Sequence, residues 1–206
     1  MRRARIDRLE TVKRAGLLEH AAEEFAAKGY DGASLNRILD RSAMGKSSFY
    51  YYFDDKADLL AWVVESAVST LFAHVGPFAL ETLTAETYWG DCEAYYARCI
   101  ALAGRDERYV KLGSLFYQLR GDLGQSGSTE EMFATARAWV ATFIARGQDL
   151  GVVRTDLPQS LLLDCLMGIG EALDRWVVAN WHSMGDVTPE RIASQHIDLV
   201  RRLLQP

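Results

Sequence analysis

Apolar side chains recur every three to four positions along this 206-residue chain, and no stretch of Val, Ile or Thr alternates with polar residues. Helices are therefore the elements it can build, and an all-α fold without a sheet is predicted. Leu17, Leu18, Ala21, Ala22 and Phe25 share one helix face, and Lys28-Gly29 supplies a cationic last turn with a glycine stop. Ser34 can cap a short segment carrying Leu35, Ile38 and Leu39. A second short helix fits 46–53, and a longer one fits 56–74, broken by Gly76-Pro77. Further helices are read at 86–103 and 107–119. After a glycine-rich loop at 121–127, another opens on Ser128-Thr129-Glu130-Glu131, a capping box, and closes at Gly147 and Gly151. The last two start at Pro158 and Pro189 and end near 181 and 204.

Composition narrows the function classes. A 49% hydrophobic share with four prolines excludes disorder, and the length suits one or two domains. Cys92, Cys99 and Cys165 lack the close pairs of a disulfide scaffold or a zinc site and read as reduced thiols. His20, His74, His182 and His196 have neither metal-ligand spacing nor a paired nucleophile. Gly168-Ile169-Gly170 falls mid-helix with no strand before it, so it is not a dinucleotide fingerprint. No enzyme, cofactor or metal is expected. The basic N-terminus lacks the apolar stretch of a signal peptide, and the longest uncharged run, 66–80, falls short of a membrane helix. A cytoplasmic protein without a membrane partner is expected.

The net charge of −5 is unevenly spread: residues 1–14 hold six basic and two acidic side chains, a local +4. A basic arm on an acidic body points to a polyanion at one end, the alternative being a solvated, frayed terminus. Next to it, 34–53 consists of two helices too short to stand alone, joined by about four residues, which is the arithmetic of a helix-turn-helix. At about 100° per residue from Lys46, Phe49 and Phe53 fall on the buried face. Ser47, Ser48 and Tyr51 point the other way, toward base edges, and Lys46, Tyr50 and Tyr52 lie on the phosphate flanks. Three consecutive tyrosines cannot all be core; Tyr52 packing on the next helix is the alternative for that ring.

Residues 17–30, LLEHAAEEFAAKGY, followed by 34–53 and then Asp55-Lys56-Ala57-Asp58-Leu59-Leu60, resemble the DNA-binding domain of TetR-family transcriptional regulators. The resemblance implies a three-helix head at 11–71, with its helix-turn-helix at 34–53, and a helical ligand-binding and dimerisation body at 72–206. By position, Ser34 caps the second helix at the phosphate backbone, Lys46, Tyr50 and Lys56 contact phosphates, and Ser47, Ser48 and Tyr51 read bases. Arg2, Arg3 and Arg5 of the arm reach a minor groove or phosphate. The chain departs from the family pattern at Ala43, where glycine usually turns, at Gly45, where a hydroxyl cap is usual, at Leu39, where a small residue is usual, and at Tyr51 and Tyr52, where histidines are common.

In the body, Leu162, Leu166, Ile169 and Leu173 share a face of one helix, and Ile192, His196, Leu199 and Leu203 a face of the last. The resemblance implies that these two helices form a four-helix dimer bundle with their partners; intramolecular core is the alternative reading. Candidate ligand contacts are Phe72, Tyr95, Tyr96, Cys99, Phe116, Tyr117, Trp139, Phe143 and Met167, each of which can equally be ordinary core. The expected function is a homodimeric repressor released from a palindromic double-stranded DNA operator by a small apolar or aromatic effector. The alternative is a small-molecule carrier with a vestigial helix-turn-helix.

Overall fold

The computed structural model describes residues 3–106, 108–113, 115, 127–185 and 187–206, with side chains from residue 5 onward and none described at 127–132. Among them there is no strand. The chain divides into two compact units. One comprises the residues up to Ser69 together with the described part of 108–130; the other comprises Thr70–Glu107 and Glu131–Pro206.

The first unit opens with a short 3-10 helix, Arg3–Arg8, followed by α1 (Thr11–Gly32), α2 (Leu35–Arg41), α3 (Lys46–Tyr52) and the first part of α4 (Lys56–Val75). Gly29 breaks the regular path of α1 at φ +67°, where the Lys28-Gly29 stop was read. Ser34 caps α2, its hydroxyl accepting from the Arg37 N–H at 3.3 Å. The turn that follows holds Ala43 at φ +49°, the left-handed conformation that glycine adopts more easily. Asp55 and Asp58 cap α4 reciprocally: Asp55 Oδ1 accepts from the Asp58 N–H at 2.9 Å, and Asp58 Oδ2 from the Asp54 N–H at 3.1 Å. Leu17, Phe25, Ile38, Phe49, Phe53, Leu59 and Leu60 are completely buried in this unit.

Among the described residues, helix α4 also admits a reading as a membrane-crossing segment. Within Lys56–Thr82 an 18-residue window has a mean hydropathy of 1.5, and the segment is long and apolar enough to cross a bilayer by length and composition. Yet Asp58, Leu59, Leu60, Ala61, Trp62, Val63 and Val64 are all buried within the protein, so placing this segment in lipid would pull out the core of the first unit.

In the second unit, α5 (Tyr88–Ala103), the body portion of α6 (Gly127–Asp149), α7 (Gln159–Asn180) and α8 (Pro189–Leu204) surround two apolar clusters. α5 packs along α8, and α7 also meets α8. Gly147 permits the closest approach: a Cβ there would lie 2.3 Å from Val153 Cγ2 and 2.6 Å from the Tyr88 hydroxyl. That hydroxyl donates to the Phe143 carbonyl at 2.8 Å. The connection from α6 to α7 is tied to the end of α8 by the Arg154 N–H, which donates to the Leu204 carbonyl at 2.7 Å.

Candidate nucleic-acid interface

Seven residues of α3 decide the site. Phe49 and Phe53 are 0% exposed and stack at 5.3 Å, with Phe53 against Trp62 at 5.5 Å. Burying those two rings fixes the rotation of the helix. Lys46, Ser47 and Ser48 then face solvent, together with Tyr50 (51% exposed) and Tyr51 (49%). Tyr52 is half-buried, its ring edge-on to that of Tyr51 at 5.0 Å.

The base on which α3 stands is held by one carboxylate that the sequence reading passed over. Glu24 is buried, and its Oε1 accepts from the Ser34 N–H at 3.0 Å and from Arg37 Nη1 at 3.1 Å. The Ser34 N–H foremost, and the Arg37 guanidinium with it, hold its carboxyl below the usual range against the opposing effect of burial. The helical pattern does separate the pair, since Glu24 falls beside Leu17 at the edge of the apolar face and Glu23 opposite it, but it carries no record of the Ser34 and Arg37 partners that meet the carboxylate. Glu23 stays at the surface, paired with Arg41 at 2.6 Å.

Lys56 sits differently from a free phosphate ligand. Its Nζ donates to the Tyr30 carbonyl at 2.7 Å and the Ala33 carbonyl at 3.1 Å, and lies 4.4 Å from the centre of the Tyr30 ring. Two of its three protons are thus committed to closing the α1–α2 junction. The side chain of Arg3 lies outside the described residues, and Arg5 is turned toward Tyr51.

In the body, the candidate contacts separate into two groups. Tyr95, Trp139 and Phe143 join a run of rings that also includes Phe78, Tyr88 and Trp89. Phe78 lies 4.9 Å from Tyr95 and 5.9 Å from Trp139; Trp139 stacks on Phe143 at 5.8 Å, and Phe143 on Tyr88 at 4.8 Å. Tyr96 belongs instead to a polar knot: its hydroxyl donates to Asp174 Oδ1 at 2.9 Å and lies 3.2 Å from His196 Nδ1. Burial pushes the Cys99 thiol up to about 11 and the Cys92 thiol up to about 12, so neither is a ready thiolate. Phe72 is exposed, Met167 is half-buried, and Phe116 and Tyr117 lie outside the described residues.

The face expected at a dimer interface is largely turned inward. Leu162, Ile192 and His196 are buried within the protomer, and Leu166, Ile169, Leu173 and Leu203 pack against its core; of that set, Leu199 is 52% exposed. The reason is physical: a stripe of large apolar residues on an amphipathic helix marks the protomer's own core first. What α7 leaves outside is a stripe of smaller residues, with Leu161, Cys165, Gly168, Ala172 and Trp176 in one line. Leu161 and Trp176, at its two ends, are 46% and 50% exposed.

The family of bacterial regulatory proteins named tetR matches residues 17–63, which contain most of α1, all of α2 and α3, and the start of α4. Over these residues the chain is similar to the N-terminal domain of the TetR family. An uncharacterised HTH-type transcriptional regulator of the lacX 3′ region of Lactococcus lactis subsp. lactis is 46% identical over 48 residues, 23% of this chain and 24% of that protein. The IcaR negative transcriptional regulator of the icaADBC biofilm operon of Staphylococcus aureus (strain Newman) is 26% identical over 126 residues, 55% of this chain and 64% of that protein. The chain thus spans a quarter to under two thirds of the length of these relatives. The structure of SmeT, the repressor of the Stenotrophomonas maltophilia multidrug efflux pump SmeDEF, superimposes with a TM-score of 0.67 at 18% identity, covering 97% of this chain and 93% of that one. This likeness gives the TetR fold: a helix-turn-helix head followed by a helical body. TetR-family transcriptional regulators are DNA-binding proteins rather than enzymes.

Proposed function

We propose that the chain is a cytoplasmic, homodimeric repressor released from a palindromic operator by a small apolar or aromatic effector, with 11–71 as its DNA-binding domain and 72–206 as its effector and dimer domain. The rotation of α3 carries this reading: the two phenylalanines are fully buried, and Ser47, Ser48 and Tyr51 stand on the opposite, solvent-facing side. A helix so mounted can enter a major groove with hydroxyls toward base edges, while Lys46 and Tyr50 meet the phosphate flanks and Ser34 sits at the backbone. Lys56 keeps the junction beneath α3 closed and has one proton left for a phosphate. Repression, rather than activation, is favoured by the relatives named as a negative regulator and a repressor.

The dimer surface in this reading is the outer stripe of α7 with Leu199 of α8, where small residues let two helices approach closely. The effector site centres on the aromatic run from Tyr95 through Trp139 to Phe143, whose rings offer stacking faces. Effector binding would favour a dimer geometry in which the two copies of α3 leave the spacing of about 34 Å that adjacent major grooves demand. The test is a gel shift on duplexes from the DNA upstream of the protein's own coding sequence, over a range of salt. One palindrome should be retained, with affinity falling steeply as salt rises. A protein that binds aromatic molecules yet shows no sequence-dependent shift is the carrier, not the repressor.

A further inference from the structure

The described part of the basic arm is docked on the first unit. Ile6 is buried in the first unit, Asp7 pairs with Arg14 of α1 at 3.0 Å, and the 3-10 helix Arg3–Arg8 packs on α3. This places Arg5 on the recognition helix: its guanidinium carbon lies 4.8 Å from the centre of the Tyr51 ring, and Nη1 approaches the Tyr51 carbonyl at 3.5 Å. The Tyr52 ring meets that of Tyr51 edge-on at an interplanar angle of 87°. An exposed tyrosine in the middle of the reading face is thereby flanked on two sides.

We propose that Arg5 is a specificity-determining positioning residue, which holds the Tyr51 ring in one orientation on α3 and so presents its hydroxyl to a base edge in the major groove. This rests on the DNA-binding reading above and differs from an arm that enters the minor groove. The chemistry asks for arginine in particular. A flat guanidinium can cover an aromatic face and direct an in-plane N–H at a carbonyl from one fixed plane; an ammonium can also meet a ring and carbonyls, as Lys56 does, but as a compact point charge it sets no plane against which the ring is held. A ring already held before DNA arrives loses less freedom on binding, which corresponds to about 3- to 10-fold in affinity for the preferred sequence.

The experiment selects bound duplexes from a random-sequence library with four full-length proteins: the native chain, Arg5→Lys, Tyr51→Phe and the double variant. Arg5→Lys keeps the charge, so its affinity for random duplex and its salt dependence should match the native chain. It should nevertheless relax base preference by about 3- to 10-fold, at the same base pairs that Tyr51→Phe relaxes, and the double variant should be no worse than Tyr51→Phe alone. The proposal is overturned if Arg5→Lys keeps the native preference, if it relaxes different base pairs, if the two changes add, or if Tyr51→Phe alters no base preference. A native chain that enriches no sequence overturns the DNA-binding reading itself, a result distinguishable from all of these.

Discussion

Ala43 occupies a left-handed position, φ +49°, between α2 and α3, where a β-carbon crowds its own backbone. Ala43→Gly is expected to stabilise the first unit by about 1 kcal/mol, read from the midpoint of urea unfolding. Glu24 makes the opposite kind of residue-scale contribution. Its carboxyl is held below the ordinary value of 4.5, so its stabilisation is fully present above that value and is lost as pH falls through the lowered folded value. The Arg37 side chain is 55% exposed, so water screens the pair, and Glu24→Gln should cost only about 1 kcal/mol at neutral pH. The gap between native and variant melting temperatures is expected to close below about pH 4.5; a gap constant with pH would show that the charge on Glu24 contributes nothing.

At the scale of the element, α3 is seven residues long and has no stability of its own. It exists because Phe49 and Phe53 are held from below, which separates its two faces energetically. Phe49→Ala is expected to destabilise the first unit by about 3–5 kcal/mol. Tyr50→Phe, which keeps the ring edge-on to Phe49 and removes one hydroxyl from the exposed flank, should leave stability within about 0.5 kcal/mol while weakening DNA binding several-fold. Urea unfolding and gel shifts on the same preparations check both; equal losses of stability would mean that the helix face is assigned wrongly.

For the whole molecule, the question is which apolar surface each protomer keeps for itself. Trp176→Asp, on the outer stripe of α7, is expected to turn a dimer into a monomer in sedimentation velocity with little change in protomer stability, and to abolish retention of a palindrome. Leu162→Ala, one residue along from Leu161 but inside the core, should instead cost about 2–5 kcal/mol of stability. The sequence by itself determined most of the described helices and their ends, because caps, glycines and prolines act within a few residues of themselves; α8 starts and stops where Pro189 and Leu204 were read, while much of the helix read at 107–119 and the side chains of the capping box at 128–131 lie outside the described residues. It also determined the two faces of α3, since Phe49 and Phe53 at i, i+4 admit one burial. Only the tertiary structure decided which groups meet the Glu24 carboxylate, that Lys56 closes a junction, that Arg5 lies on Tyr51, and that the large apolar residues of α7 face the protomer's own core. Each of these depends on what another helix brings within a few ångströms, and periodicity along a single helix carries no record of its neighbours.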